Sequence, residues 1–499
     1  MLKPFFCRAA PQAYALGLRL AAPQVRVPGL RLAAPPARSL VLAMLSAVLV
    51  SGCASFSQDG GFDAIQSATQ SRIQKDVVWS RDDTSRSQTQ ARVDALLAQP
   101  PLAVDDAVQI ALLNNPGLQA TFQSLGIAEA DWVQARTLPN PGLTAGRLTR
   151  GSEVEWDGVL HLFLMQMLTM PMRGQIEQHL FEKTRSEVTL EVLRLAAETR
   201  KAFFTAVAAD ETARYMQQAM DAAEAGAELG RRMAKAGNWS KLKQAREQAF
   251  YADTVLARAR AEQARVQSRE RLVRLLGLEN GARLTLPQRL PDLPATLPAL
   301  PDIEQQALDQ RLDLQMQRQA AEALADNLGL TRRTRFVNVL ELGLVYSDSN
   351  VLPTQRGFEL TFELPLFDWG QARVARAEAI YMQTVQRAAA MAVDARSQVR
   401  ETYAAYRSQY DTARYYRDEV VPLQKSISEE NLLRYNGMLI GVFELLADAR
   451  TQIGSVNNAI VAQRDFWLAQ SELQMVLMGP PGTPTVATVS PASVAADGH

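Results

Sequence analysis

Residues 358–364 read Phe358-Glu359-Leu360-Thr361-Phe362-Glu363-Leu364, so every second residue is large and apolar and the residues between are acidic or polar. Successive side chains of a β-strand point to opposite faces, and this pattern therefore predicts a strand with one apolar and one polar face. The segment from Leu340 to Tyr346 alternates in the same way around Glu341. We predict strands near residues 337–346 and 357–364, and two more near 143–149 and 160–170.

Most of the remaining chain predicts helices that are too long for a compact domain. Residues 175–236 contain no proline and are rich in Ala, Glu, Arg and Leu, which predicts one helix of roughly 90 Å. A turn at Gly237 separates this helix from a second helix at 240–276. Its later counterpart is predicted at 371–435, with a kink at Pro422, and a turn at Gly437 separates it from a last helix that ends at about residue 477. Shorter helices are predicted at 104–136 and 303–332. Helices of this length need a large assembly to pack against.

The same order of signals occurs twice. A helix, two strands and a long helical hairpin are predicted for residues 103–290 and again for 303–480. Gly174 and Gly370 are 196 residues apart, and Gly237 and Gly437 are 200 apart, so the register is nearly constant. A proline-rich connector at 291–302 joins the repeats, because proline is excluded from helix interiors and central strands. We expect 53–102 to be an extended, lipid-anchored tether and 481–499 a disordered tail.

Four strands from one chain cannot close a barrel in a membrane, since open edges would leave backbone groups without hydrogen-bond partners in lipid. Three chains supply about twelve strands, within the range of such barrels. The predicted fold is mainly α with a small membrane β part: long α-helical coiled-coil hairpins and four strands per protomer form a trimeric β-barrel and α-barrel tunnel. We expect Glu341, Glu359, Thr361 and Glu363 to line the lumen. A small soluble sheet that caps a helical bundle is the alternative.

The N-terminal residues have the order of parts of a bacterial signal peptide. Residues 1–39 carry basic residues and no acidic one, and residues 40–50 form an apolar run that is too short to span a bilayer. The following Val50-Ser51-Gly52-Cys53 resembles the lipobox, where bacteria cleave before cysteine and acylate it. We expect a signal peptide over 1–52 and lipidation of Cys53 at the outer membrane; cleavage near Ala54 without lipidation is the alternative.

The composition argues against several classes of function. Lys+Arg and Asp+Glu both number 53, and no basic run suited to nucleic acid occurs. The three histidines and two cysteines lack the spacing of a metal site or nucleophile, and no glycine-rich phosphate loop is present. We expect no enzymatic activity, cofactor or metal site. Four methionines between 165 and 172 could bind Cu(I), but flexible apolar packing is the favoured interpretation.

Six motifs in the right order resemble the outer membrane efflux, or TolC-like, family. They are residues 111–118 (ALLNNPGL), 134–141 (QARTLPNP), 236–242 with 245–248 (AGNWSKL, AREQ), 272–277 (LVRLLG), 364–370 (LPLFDWG) and 433–437 with 444–450 (LRYNG, ELLADAR). The resemblance implies a homotrimer with a barrel in the outer membrane and a helical tunnel in the periplasm. It also implies a periplasmic adaptor and an inner-membrane pump, which we expect to be of the RND type. The turns at Gly237 and Gly437, with Arg434, would contact the adaptor.

The hypothesis is a passive aqueous conduit that carries small solutes, either drugs or heavy-metal ions, from the pump to the outside. A duct for type I protein secretion and a lipid-anchored periplasmic coiled-coil scaffold remain as alternatives. Arg450 lies 13 residues after Gly437, whereas Arg246 lies 9 after Gly237. We therefore expect the two helical tips to differ in shape.

Overall fold

The computed structural model describes residues 55–281 and 283–481. The predicted signal peptide, the lipidation site Cys53 and the predicted tail after Pro481 lie outside these residues. Over the described ranges, none of the helices combines the length and the apolar character needed to cross a bilayer.

The helices and strands follow one order twice, after two N-terminal helices, α1 (Phe62–Ile73) and α2 (Asp83–Leu97). The first repeat contains α3 (Val104–Asn114), α4 (Pro116–Ala135), β1 (Gly142–Arg150), β2 (Glu153–Phe163), α5 (Leu164–Lys235) and α6 (Lys241–Leu275). The second contains α7 (Ile303–Gln310), α8 (Leu312–Thr334), β3 (Leu340–Ser349), β4 (Gln355–Phe362), α9 (Gln371–Tyr415), a π-helical segment (Tyr416–Val420), α10 (Val421–Asn436) and α11 (Val442–Val476). The predicted mainly-α fold with two internal repeats and four strands is confirmed.

The four strands form one antiparallel sheet in the order β1-β2-β3-β4. Each repeat contributes one hairpin, and the hairpins pair through β2 and β3, with Leu160 opposite Leu344. The outer edges of β1 and β4 have no strand partner within the described residues. A single chain therefore presents a sheet that is open on both sides.

Helix α5 is the structural centre of the chain. Its 72 residues extend over about 108 Å, and it contacts α1, α3, α4, α6, α8 and α11. In the largest core cluster, Phe203 and Val207 of α5 pack with Leu272 of α6 and Ile110 of α3, all almost fully buried. Each such apolar side chain contributes about 1.5–3 kcal/mol when it leaves water. The first repeat thus holds most of the core.

The motifs at 111–118 and 272–277, which are distant in the sequence, meet where α3 ends. The side-chain amide of Asn114 donates to the carbonyl oxygens of Leu276 (3.0 Å) and Gly277 (2.8 Å), and that of Asn115 donates to Leu275 O (3.0 Å). The last carbonyls of a helix have no partner within the helix, and these amides supply one for α6. The second repeat repeats the arrangement in a simpler form, because the backbone N–H of Leu312 donates to Met478 O just after α11 (2.9 Å).

Several predicted boundaries were wrong. β2 ends at Phe163 and α5 begins at Leu164, so most of the strand predicted at 160–170 is helical and Pro171 lies inside a helix. A short apolar run fits a strand or a buried helix equally well, which explains the error. The helices predicted at 104–136 and 303–332 are each two helices. The first is broken at Asn115 because a residue before proline is pushed out of the α region, and the second is broken at Arg311.

The kink predicted at Pro422 takes a specific form. A π-helical segment directly precedes α10, and Pro422 lies in the first turn of α10. Proline cannot donate a backbone hydrogen bond, and a π-helical turn accommodates this loss without ending the helix. The α-helical hydrogen bonding of the second repeat's long helix is therefore interrupted by a π-helical segment, whereas α5 is α-helical throughout.

The expectation of an extended tether before residue 103 was wrong for the described part of that region. It forms α1 and α2, in which Ile65 and Val93 are fully buried. Trp79 packs with Phe62 and Phe122, with ring centroids 5.9 and 6.4 Å away. A few apolar residues at the points of contact are enough to hold a segment whose average composition is polar.

Candidate functional site

The register of the sheet collects the apolar side chains on one face. Leu143, Leu160, Leu344 and Phe358 form one row across all four strands, since each pairs directly with the next. The neighbouring row contains Leu162, Leu342 and Leu360. Leu143 is 75% and Phe358 77% exposed in the single chain. An exposed apolar surface of this kind indicates contact with lipid or another protein.

The opposite face carries three of the four predicted lumen residues. Glu341 pairs with Thr361, and Glu359 pairs with Gly343 on the same face. Glu363 lies one residue beyond the end of β4, where its Oε2 accepts a hydrogen bond from Asn338 Nδ2 at 3.4 Å. The register thus brings the predicted residues together along β3 and β4.

Sequence reasoning missed the polar residues that β2 adds to this face. They are Glu153, Glu155, Asp157 and His161. The alternation in residues 153–157 (EVEWD) could have predicted them. The sequence analysis instead predicts that this strand begins near residue 160. The polar face is therefore more acidic than predicted.

Gly343 lets the side chains of His161 and Glu359 approach each other across β3. It pairs with His161 on one side and with Glu359 on the other. A Cβ on Gly343 would lie 2.5 Å from Glu359 Cγ, so only glycine leaves room for the glutamate to cross the strand. His161 Nδ1 is 4.0 Å from Glu359 Oε1, and Nε2 is 3.0 Å from Thr144 Oγ1. One polar row consequently runs over all four strands.

The two helix–helix turns have the same length and hydrogen bonding. Five residues separate α5 from α6 and α10 from α11. Asn238 N donates to Met233 O (2.9 Å), and Leu439 N donates to Arg434 O (2.8 Å), the longer bond of a Schellman turn in each case. The expectation that the tips differ in shape was wrong for the backbone, because the spacing of a later arginine does not determine the turn.

The turns differ in the residue that takes the left-handed conformation. In the first turn it is Gly237, with φ of +78°; in the second it is Met438, with φ of +57°, while Gly437 has φ of −78°. Gly437 is therefore the C-cap of α10 and not the equivalent of Gly237. The predicted contact residue Arg434 is exposed, with Nε 2.9 Å from Glu430 Oε1 one helical turn earlier.

The two hairpins contact each other near their tips. Trp239 of the first turn packs edge-to-face on Phe443 of α11, with ring centroids 6.1 Å apart. Arg450 Nη2 lies 2.5 Å from Oε1 of Glu247, a carboxylate that is 98% buried. Sequence reasoning had noted Arg450 only as part of a motif, and its partner on α6 is evident only in the structure.

Metal binding gains no support from the described residues, in which no group of three or more His, Cys, Asp or Glu side chains is placed to hold an ion. The four methionines lie in the first turns of α5 rather than in a strand. Arg333 Nη1 lies 3.5 Å from the sulfur of Met172. A guanidinium at this distance disfavours a second cation on that sulfur.

No protein-family model matches the sequence, and no curated protein sequence matches it. Solved structures do match. The outer-membrane channel OprN is 16% identical (TM-score 0.64), with 83% of this chain and 95% of OprN covered. The Neisseria gonorrhoeae MtrE channel in its open state is 19% identical (0.61; 75% and 89% covered), and the Campylobacter jejuni CmeC channel 14% identical (0.64; 75% and 85% covered). The single chain has the fold of these outer-membrane channels, as the resemblance of the motifs implied for one protomer.

Proposed function

We propose that the chain is one subunit of a homotrimeric conduit in the bacterial outer membrane, the outer part of a tripartite efflux system. The observation that carries the proposal is the amphipathic sheet with two unpaired edges. Its strands have 8–11 residues, close to the 9–11 or so that span a bilayer when tilted. Pairing β1 of one copy with β4 of the next closes about twelve strands and leaves no edge in lipid.

In this assembly the row from Leu143 to Phe358 faces lipid and the acidic face surrounds water. Glu341, Glu359, Thr361 and Glu363 then line the lumen, as predicted from the sequence. Polar solutes pass by diffusion, and the subunit needs neither catalysis nor a cofactor. The proposed cargo is small solutes, either drugs or heavy-metal ions.

The lipid anchor that we propose at Cys53 rests on the lipobox-like sequence Val50-Ser51-Gly52-Cys53. Within the described residues, Ser57 N donates to Glu129 Oε1 at 2.6 Å, and Glu129 is buried in α4, which leads to β1. In the proposed arrangement the sheet lies in the outer membrane and the helices extend into the periplasm.

The partners we propose are a periplasmic adaptor at the tips and an inner-membrane pump of the RND type, which the sequence motifs imply. The turns at Gly237 and Gly437 have the same backbone hydrogen bonding, and both belong to the surface that we propose contacts the adaptor. Arg434 is exposed beside the second turn and is available for contact.

Cysteine modification during conductance measurements tests the proposal. Glu359→Cys and Leu360→Cys place a thiol on adjacent residues of opposite faces. In planar bilayers, we expect a charged, membrane-impermeant thiol reagent to change the conductance of Glu359→Cys channels and to leave Leu360→Cys channels unchanged. Absence of any conductance, or equal responses of the two variants, would contradict the pore.

A second experiment separates the conduit from a periplasmic scaffold. Cys53→Ser removes the proposed lipid anchor without altering the sheet. We expect this variant to stay in the outer-membrane fraction after washing with salt and carbonate, because the barrel holds it there. A fully soluble variant would favour the scaffold.

A further inference from the structure

A cavity of about 660 Å³ lies at the end of the sheet where the strands connect to the helices. Thr361 and Glu363 line it, together with Arg173 of α5 and Arg373 of α9. Because the strands end here, Phe362 of the apolar face also reaches the cavity wall. The register places Thr361 on the polar face of the sheet. The cavity therefore continues the surface that lines the lumen in the proposed conduit.

A second cavity, of about 290 Å³, adjoins the first. Thr334 of α8 and Arg373 line both cavities, and Arg376 of α9 lines the second. Arginines from both repeats are thus gathered beside the end of the sheet. We call Arg173, Arg373 and Arg376 the junction arginines.

Hydrogen bonds fix the guanidinium group of Arg373. Its Nη1 donates to Asn338 Oδ1 at 2.6 Å, and its Nη2 donates to the backbone oxygen of Arg335 at 3.2 Å. The amide of Asn338 donates in turn to Glu363 Oε2 at 3.4 Å. The carboxylate that lines the larger cavity is therefore held by an amide and leaves the guanidinium groups there unpaired with it.

The junction arginines have little counter-charge in the chain. Among the described residues, Arg173 and Arg376 have neither an ion pair nor a hydrogen-bond partner. Arg373 has one carboxylate nearby, that of Asp368, with 3.8 Å between Nε and Oδ2. Arg373 also lies in the first turn of α9, which contains no acidic residue, and the helix dipole adds positive charge there. Such a surface attracts anions.

The rest of the polar face carries the opposite charge. Its acidic residues include Glu155 and Asp157 of β2, Glu341 of β3 and Glu359 of β4. The sign of the charge thus changes along one surface, from negative on the strands to positive at the junction with the helices. An acidic wall repels anions, and the junction arginines give them a favourable position beside it.

We propose that the junction arginines bind the anionic group of solutes that pass through the conduit, which makes them specificity-determining residues of its lumen. The inference rests on the proposed function, because three copies are needed to surround one lumen with these arginines. A guanidinium group forms two parallel hydrogen bonds with a carboxylate or phosphate group. Charged side chains arranged around a pore set which ions it admits. Small organic anions therefore fit the junction better than heavy-metal cations do.

The ion selectivity of the full-length, lipid-anchored protein tests the proposal. Channels in planar bilayers of phosphatidylcholine are placed in a gradient of potassium chloride at low ionic strength, and the reversal potential gives the permeability ratio of chloride to potassium. The test variant combines Arg173→Gln and Arg376→Gln, which remove two arginines without a partner and leave the hydrogen bonds of Arg373 intact.

The matched control combines Arg147→Gln and Arg356→Gln and changes the net charge equally. Both arginines lie on the apolar face of the sheet, where Arg147 pairs with Trp156 and Arg356 with Tyr346. They are exposed but outside the lumen of the proposed conduit.

We expect the permeability ratio of chloride to potassium to fall about two-fold or more in the test variant and to stay unchanged in the control. High salt should remove most of the difference, because it screens the charges. Replacing Arg173 and Arg376 by lysine should preserve the ratio. An unchanged ratio in the test variant, or an equal fall in the control, would overturn the proposal.

Citrate, a small organic anion, serves as the probe for binding. Added to unmodified channels it should reduce the potassium chloride current, and it should act more weakly on the test variant. The lysine variant should fall between the two, because lysine keeps the charge but cannot form the paired hydrogen bonds. Equal block of the unmodified protein and the test variant, or no block of either, would contradict an anion-binding junction.

The same recordings separate this inference from the proposed function. Absence of conductance in the unmodified protein contradicts the conduit. A pore whose selectivity and citrate block do not depend on Arg173 and Arg376 contradicts the junction arginines alone. If the double variant does not insert, the single variant Arg173→Gln gives the same comparison with a smaller change.

Discussion

Helix α5 of the first repeat and its counterpart in the second repeat differ in continuity and burial. α5 runs without interruption from Leu164 to Lys235, directly after β2, and it buries residues along most of its length. The counterpart begins after an eight-residue loop, is interrupted by the π-helical segment, and buries no residue in α10. Leu432 and Leu433 of α10 are more than half exposed. The first repeat therefore holds more of the core of the single chain, whereas the second leaves exposed surfaces that other copies would cover in the proposed trimer.

The two repeats also differ in the side chains that lie where the first helix of each repeat is broken. The first repeat uses the neutral amides of Asn114 and Asn115. The second uses Arg311, whose side chain is 1% exposed and which donates to Asp313 Oδ1 (3.0 Å) and Oδ2 (2.7 Å). The helix break is thus held by neutral amides in the first repeat and by a buried ion pair in the second. Substitutions can compare how much each contributes to the free energy of unfolding.

The largest effect is expected for Asp313→Ala. It leaves the buried guanidinium of Arg311 without its carboxylate, which should lower the free energy of unfolding by about 3–5 kcal/mol. Denaturant unfolding followed by circular dichroism measures the loss. The double variant Arg311→Met with Asp313→Leu should recover most of it, because both charges are then absent. A loss below 1 kcal/mol in the single variant would show that the pair is not buried in the assembled protein.

A smaller loss is expected for Asn115→Ala in the first repeat. The variant removes the cap that accepts from Leu118 N (3.0 Å) and the donor to Leu275 O. Together these should lower the free energy of unfolding by about 1–2 kcal/mol. Asn238→Ala, at an exposed turn position, is the control and should change it by less than about 0.5 kcal/mol. Equal effects would mean that the two motifs do not meet at α6.

The two turns should respond differently when a glycine is replaced by alanine, because only the first has a left-handed glycine. Gly237→Ala places a Cβ on a left-handed residue and should destabilise the first hairpin by about 1 kcal/mol. Gly437→Ala should be nearly neutral, and Met438→Gly should stabilise the second hairpin. Hydrogen exchange of the last turns of α5 and α10 measures each local effect. If Gly437→Ala destabilises as much as Gly237→Ala, the left-handed residue of the second turn is not Met438.

The smallest effect concerns the carboxyl groups of Glu177 and Glu378. Burial, and secondarily the charge of Asp131, raise the pKa of Glu177. A raised pKa in the folded state means that folding is favoured at low pH, and this contribution is lost as pH rises from about 4.5 through the raised pKa. Glu177→Gln should therefore increase the melting temperature at pH 7 and change it little at pH 4.

The second repeat offers the matched comparison for this prediction. Glu378→Gln removes an exposed ion pair with Arg332 and should lower stability by no more than about 0.5 kcal/mol. A stabilisation by Glu378→Gln, or a loss of stability at pH 7 with Glu177→Gln, would contradict the assigned environments.

Much of the fold could be predicted from local patterns. Alternation around Glu359 predicted β4 and its two faces, and the absence of proline after Gly174 predicted most of α5. The boundaries failed where local signals were ambiguous. The apolar residues 164–170 fit a strand or a helix, and the asparagine–glycine pair at 436–437 predicted the turn without showing that Met438 takes the left-handed conformation.

The candidate sites divide in the same way. Glu341, Glu359 and Thr361 could be assigned to one face because side chains alternate along every strand. His161 could be assigned to that face only once the register of β2 was known. The partner of Arg450, Glu247, lies 203 residues earlier on another hairpin, and no spacing rule connects the two.

The sequence by itself determined the types and order of the elements, the duplication and the amphipathic strands, because these depend on the spacing of neighbouring side chains. Only the tertiary structure decided that the N-terminal segment folds onto α4 and α5, and that the turns at Gly237 and Gly437 have the same hydrogen bonding. Such contacts join residues far apart in the chain. They depend on how whole helices and strands pack and pair, which local periodicity does not specify.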